Sequence, residues 1–447
     1  MEIALEDIAK FPAPGMDFPG SFAFSPDRKY ATYLKTADTD GNRALYAIDL
    51  DTGQEQLLIE ALPSSLKESL EEQLRRQRLR QMHRGITRYF WTTKGKIVIP
   101  DGNSVYILDQ IGHPPRLLMD SNEYPAIDPK VSLNGEKLSF VCRGEIWVIP
   151  IEGDVPEQIT HGKIKGTTRG LADYIAQEEM RRPSGYWWSK ESDYIAFTEV
   201  DERHIPEFHI LHSGNSDPGL ESIETHRYPF AGSENPRVKL GVTDFRGNIT
   251  WLDTSEYEYI ARVSWGIDHL LYVQCQNREQ TKLDLLCFDI PSGRRRTILK
   301  EESDVWINLH DIFYPLKDGK LIWASERTGY QHIYMYDPNL QTHYPVTQGD
   351  WRVDAISAVD ESNESIYFNA TIDSHKESRI YKVSFEGGDP ELLTTEPGIH
   401  SSTFSITSGR MFDTNHSLTQ PPTVRLSKIG KSEGYIPIHQ TSDPRIE

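Results

Sequence analysis

The stretch PLKDGKLIWASERTGYQHIYMYD, residues 315–337, decides how the rest of the chain is read. A turn built on Asp318 and Gly319 leads into the apolar strand LIWA. A second polar turn leads into IYMYD, which ends aromatic-x-apolar-Asp. Two short β-prone runs separated by turn residues read as an antiparallel pair.

The same phrase recurs along the chain. Its first half returns as FSPDRKYATYL (24–34), TTKGKIVIP (92–100), LNGEKLSFV (133–141), SKESDYIAFTEV (189–200) and DESNESIYFNA (360–370). Its second half returns as LYAIDL (45–50), VYILD (105–109), IWVIP (146–150), LLCFDI (285–290) and IYKVS (380–384). With Tyr106, Trp147, Leu286, Tyr334 and Tyr381 as markers, the comparable neighbouring spacings are 41, 48 and 47 residues. A propeller blade repeats every ~40–50 residues, and radial repetition leaves only short, protected sheet edges. The reading is therefore an all-β chain. An eight-bladed β-propeller with two short helical insertions is expected over 1–430, and a tail over 431–447. Blades are expected to start near 18, 86, 129, 184, 262, 309, 354 and 401, the fourth expanded to about 254 through VKLGVTDFRGNITWLD.

Composition narrows the function. The 447 residues can serve one large β architecture. With 48 Lys+Arg against 67 Asp+Glu, the net charge of -19 opposes phosphate-backbone binding, so nucleic acid is not an expected partner. No run approaches 18 apolar residues, and MEIALEDIAKFPAPGM has neither a basic nor an apolar leader region. Membrane attachment is accordingly not expected, and a cytoplasmic location is. Cys142, Cys275 and Cys287 are odd in number and scattered, which fits small buried hydrophobes in a reducing compartment.

Two segments break the β pattern and read as helices. In the first, 64–85, Ser65 followed by Glu68 forms a capping box, early glutamates and late arginines suit the helix dipole, and Gly85 marks the stop. Arg76, Arg80 and Arg84 then fall at four-residue steps on one face, an arrangement that fits either a carboxylate partner or a solvated basic face pairing with the chain's excess acid. The second, 171–182, ends at Pro183 and carries adjacent Glu178 and Glu179. Two neighbouring carboxylates raise each other's pKa unless a cation lies between them. Adjacent helical positions diverge by about 100°, so the pair converges only on a short or distorted helix. No metal or cofactor is expected. His204, Glu207 and His209 in HIPEFH alternate faces if extended, DTDGN (38–42) suffices as a hairpin turn, and Trp187 and Trp188 suit blade packing.

DYIAQEEM (173–180), GYWWS (185–189), IAFTEVDE (195–202), SERTGYQHIYMYD (325–337), GDW (349–351) and the arginine-rich run into RGITRYFW (84–91) resemble the dipeptidyl peptidase IV branch of the prolyl oligopeptidase family, over nearly the whole chain. The resemblance implies a propeller that caps an α/β-hydrolase domain. It implies that Glu178 and Glu179 grip the free amino terminus of a peptide, and that an arginine of the first helix binds peptide carbonyl oxygens, Arg80 first and Arg84 second. Such enzymes release Xaa-Pro dipeptides with a serine held on a strand-to-helix G-x-S-x-G elbow. No such elbow is expected here. No catalytic residue is assigned, IHQTSDPRIE stands about where a hydrolase domain would begin, and no activity is expected of the propeller alone. The expectation is a recognition half that works with a separate α/β-hydrolase subunit. The alternatives are a non-catalytic peptide- or protein-binding propeller and a truncated remnant, and oligomers are compatible with all three.

Overall fold

A computed structural model describes residues 4–9, 15, 17–37, 41–62, 68–81, 83–211, 223–431 and 433–440. DTDGN falls largely outside these residues. The fold is an eight-bladed β-propeller: eight sheets follow one another in chain order, each built on four successive antiparallel strands except the fourth, and the first also takes Arg84–Gly85 in parallel. The opening stretch forms the middle of the sixth blade, Phe313–Pro315, Leu321–Ser325, His332–Asp337 and Thr342–Pro345. Trp323 sits opposite Tyr334 there, and Gly319 closes the turn at φ 87°, a left-handed conformation that favours glycine.

Alternation along each strand places one set of side chains on each face. Ile322 and Ala324 join Ile333, Met335, Ile366 and Phe368 in one apolar cluster, while the fully buried Trp323 points the other way, edge-on to His310. Three of the turns share one device. Ser25 accepts the backbone N–H groups of Lys29 and Tyr30, Ser132 those of Glu136 and Lys137, and Ser189 those of Asp193 and Tyr194. A hydroxyl thus satisfies the donors that a tight turn leaves without strand partners.

The chain forms two compact units. One comprises Met1–Glu68, Gln81–Asp120 and His310–Glu447 and holds the first, second, sixth, seventh and eighth blades. Its last sheet is completed by Ile436–Gln440, beyond the expected boundary at 430. It also holds a short helix, α1 (Leu5–Ala9). The other unit comprises Ser69–Arg80 and Ser121–Leu309 and holds the third, fourth and fifth blades.

In this second unit the fourth blade is the irregular one. Thr167–Arg169 and Tyr186–Trp188 both pair with Tyr194–Asp201, and the chain between them leaves the sheet. Ile195 and Phe197 face the third blade's Val141 and Ile146, and Ala196 faces the fifth blade's Val263 and Val273. Trp188 is core, its indole N–H donating to Ser139, and Trp187 packs against the cluster on the other side. All three cysteines are free and buried.

Candidate binding site on two short helices

The first insertion is a helix, α2 (Leu70–Arg78), shorter than the sequence pattern suggests. Its N-cap is Ser69, which accepts the N–H of Glu72. The Ser-x-x-Glu signature therefore operates one turn later than Ser65–Glu68, and Ser65 lies outside the described residues. Glu71 and Glu72 occupy the first turn and Arg75, Arg76 and Arg78 the last, as the dipole favours. The helix is over before Arg80, whose φ is +52°. Arg76, Arg80 and Arg84 consequently do not share a helical face. Gly85 is not the helix stop either. Arg84–Gly85 pairs in parallel with the first blade, and a Cβ on Gly85 would stand 2.6 Å from the Arg43 carbonyl oxygen.

The second insertion gives α3 (Tyr174–Glu178), only five residues long. Asp173 caps it by accepting the Ala176 N–H, and the same carboxylate takes an ion pair from buried Arg182 at 3.3 Å. Arg182 also donates to the carbonyls of Ile260 and Ser184, so α3 is stitched to the fifth blade. The helix ends at Glu178, well before Pro183, because Arg181 turns left-handed at φ +52° and the Arg182 N–H reaches back to Ala176. Glu178 is thus the last helical residue and Glu179 the C-cap, both exposed.

Carboxylates at a helix C-terminus meet the unfavourable end of the peptide dipoles, and they repel each other. One cation is nearby: Arg78 Nε lies 3.9 Å from Glu178 Oε1, beyond hydrogen-bond range. Arg78 is held by Gln177 Oε1 at 3.2 Å and by the Tyr174 ring, whose centroid lies 5.2 Å from the guanidinium. Glu179 has no ion pair among the described residues. A hydrogen bond with Tyr228, burial and the charges of Glu178 and Glu179 push Tyr174 up to about 12.

Arg78 also links the pair to a cavity of about 590 Å³. The helical stripe Glu71, Leu74, Arg75 and Arg78 forms one wall, and a hairpin projecting from the fourth blade, Glu207–Leu211 with Ile223–Arg227, forms another. Half-buried Glu202 lines it, its carboxyl raised by burial and by Asp173 against the opposing pull of Arg78 and Arg227.

Among the arginines, the structure brings Arg78 to the glutamates. Arg80 is exposed with no side-chain bond among the described residues, and Arg84 belongs to the other unit. The stripe at 71, 74, 75 and 78 has the i, i+3, i+4, i+7 spacing of a single face, and that spacing is the signal for Arg78 in the sequence. Elsewhere, His204 bonds the Asn235 carbonyl, His209 bonds Thr225 and Glu207 pairs with Arg227, so the HIPEFH residues take three separate partners. Half-buried His269 faces the exposed carboxylates of Glu191 and Asp193 at 3.3 and 3.6 Å. GKSEG (430–434) does match G-x-S-x-G, but it joins the antiparallel strands Thr423–Lys428 and Ile436–Gln440, whereas a nucleophile elbow runs from strand to helix. Ser432 itself lies outside the described residues.

Residues 93–422 match the family described as Dipeptidyl peptidase IV (DPP IV) N-terminal region. The chain is similar to a probable dipeptidyl-aminopeptidase B of Talaromyces marneffei, 27% identical over 310 residues, covering 62% of this chain and 34% of that one. It is similar to mouse dipeptidyl peptidase 8, 25% identical over 419 residues, covering 74% of this chain and 46% of the relative. The chain thus spans less than half the length of these curated relatives. A crystal structure of Porphyromonas gingivalis dipeptidyl peptidase 4 shares the fold, with a TM-score of 0.75 at 20% identity, over 98% of this chain and 62% of that one.

Proposed function

The chain belongs to the Dipeptidyl peptidase IV (DPP IV) N-terminal region family, and on that premise we propose that Glu178 and Glu179 receive the free amino terminus of a peptide. The observation that carries this reading is the pair itself. Two exposed carboxylates stand at the wrong end of a five-residue helix, with one cation no nearer than 3.9 Å. An α-amino group of pKa about 7.7–8.0 is mostly cationic at neutral pH, and its three N–H donors match two acceptor-only side chains. Charge-assisted bonds of this type are about twice as strong as neutral ones.

Arg78 takes the role of carbonyl ligand in this reading, in place of Arg80 or Arg84. An arriving amine replaces it at Glu178, which frees its guanidinium donors for the first peptide carbonyl. An anchored amine also sets a length. Extended chain advances at most ~3.6 Å per residue, so a nucleophile about 7 Å beyond the anchor cleaves after the second residue. The serine, its base and its orienting acid would come from polypeptide outside the sequence described, and the propeller would admit and orient the substrate for that partner.

Calorimetric titration of the chain with an Ala-Pro hexapeptide and its N-acetylated twin tests the reading. Binding of the free amine alone, lost in Glu178→Gln and Glu179→Gln, is the expected result. Equal affinity for both peptides would overturn it.

A further inference from the structure

One buried carboxylate stands behind both arms of this site. Asp128 lies in the third-blade strand Ile127–Val131, where pairing with Lys137–Cys142 slips between Ile127 and Lys130. Its φ is +49°, a left-handed conformation uncommon for any residue with a Cβ, and its side chain is only 7% exposed. Oδ1 accepts from Arg75 of α2 at 2.9 Å. Oδ2 accepts from Ser184, just beyond α3 in the chain, at 3.2 Å, and lies 3.2 Å from Lys130 Nζ. The main-chain oxygen of the same residue accepts the Tyr186 hydroxyl.

How α2 is docked gives this tie its meaning. A surface helix ordinarily buries an apolar stripe. The buried side chains of α2 are instead Glu72 and Arg75, joined at 3.2 Å, while Leu70 is 48% exposed. The rotation of α2 about its axis is therefore set by where Arg75 is tied. Arg78 follows three residues later at about 100° per residue, so a small turn of the helix carries it away from Glu178. A buried ion pair contributes little net stability but holds one arrangement against others.

We propose that Asp128 is the positioning residue of the amine site: by holding Arg75 with one oxygen and Ser184 with the other, it fixes Arg78 of α2 relative to Glu178 of α3. The proposal rests on the functional reading above and adds a residue that would itself touch no peptide.

The test is a double-substitution cycle on the full chain, read by binding of the free-amine Ala-Pro hexapeptide and by backbone hydrogen exchange without peptide. Asp128→Asn keeps the shape and removes the charge. It is expected to weaken peptide binding about tenfold, the scale of one charged hydrogen bond, yet to change affinity less than about twofold once Arg78→Ala is present. Amides of 70–78 and 175–179 should exchange faster, with the fifth-blade strands unchanged. Equal losses with and without Arg78, or full affinity in a folded Asp128→Asn chain, would overturn the proposal. If the unsubstituted chain does not distinguish the free from the acetylated peptide, the functional reading fails, and hydrogen exchange alone decides: unchanged protection of 70–78 sinks the positioning role. Should Asp128→Asn not fold, Arg75→Met removes the other partner and leaves Asp128 with Lys130 and Ser184, and the same two readouts apply.

Discussion

The sixth and fourth blades are built from the same phrase and put to different uses. In the sixth, each strand follows the last after a tight turn, and Leu321–Ser325 is buried along its whole length. In the fourth, the repeat is broken twice: α3 leaves the sheet before Tyr186–Trp188, and a projecting hairpin intervenes before Arg237–Asp244. The sheet register survives, since Tyr194–Asp201 pairs with Arg237–Asp244 without a slip. Departure from the repeat, then, marks where residues stop serving the core and start presenting charge.

That contrast predicts different responses to substitution. The largest is expected in the sixth blade. Trp323→Ala removes a fully buried indole and should destabilise by about 3–5 kcal/mol in chemical denaturation without altering peptide affinity per folded molecule. A loss below about 1 kcal/mol would break the comparison. Next, Glu178→Gln combined with Glu179→Gln should reduce free-amine peptide affinity by about a hundredfold, from two charged hydrogen bonds, with unfolding midpoints unchanged because both side chains are exposed. A stability loss equal to that of a core substitution would mean that the pair is structural. Arg78→Ala should weaken binding about tenfold and Arg80→Ala less than about twofold. The reverse order would return the carbonyl role to Arg80.

The smallest effect separates a buried charge in a regular blade from the exposed pair. Burial alone works against a charged His400 ring. Its hydrogen bond and attraction to Asp413 and the carbonyl and charge of Glu396 outweigh burial and raise its pKa. A folded-state pKa above the unfolded value of about 6.5 gives stability that is fully present below pH 6.5 and is lost as pH rises through the folded value. Urea midpoints should fall over that window, and His400→Gln should flatten the slope. An unchanged slope in the variant would assign the dependence to other groups.

Much of the fold was legible because its signals are local. Turn residues and apolar runs place seven of the blades to within a few residues, from Gly20 against an expected 18 to Ile399 against 401, whereas the fourth begins at Thr167 against an expected 184 because the short strand Thr167–Arg169 precedes α3. What periodicity did not show was the work of the serines in the turns, since a hydroxyl that accepts two backbone N–H groups leaves no periodic trace. The site was legible only in part. Glu178 and Glu179 stood out by resemblance, whereas Arg78 did not, because Gly85 has the chemistry of a helix stop but serves in a strand pairing. Taking it as the stop carries the helix past its true end at Arg78 and brings in Arg80 and Arg84, which lie beyond it. The long-range tie from Asp128 to Arg75 has no local signature at all.

The unbroken pairing of Tyr194–Asp201 with Arg237–Asp244 has a consequence for chain entropy. Residues 202–236 lie between two strands that a two-residue turn could join, as Gly102 and Asn103 do between neighbouring strands of the second blade. Loop-closure cost grows only with the logarithm of length, about 0.6 kcal/mol per doubling, so roughly four doublings cost on the order of 2.5 kcal/mol. That is less than the loss expected from truncating one core tryptophan. A blade can therefore carry a large insertion on its rim at modest cost to the unfolded-to-folded balance, and inter-strand segments can change in length and chemistry while the sheets stay as they are.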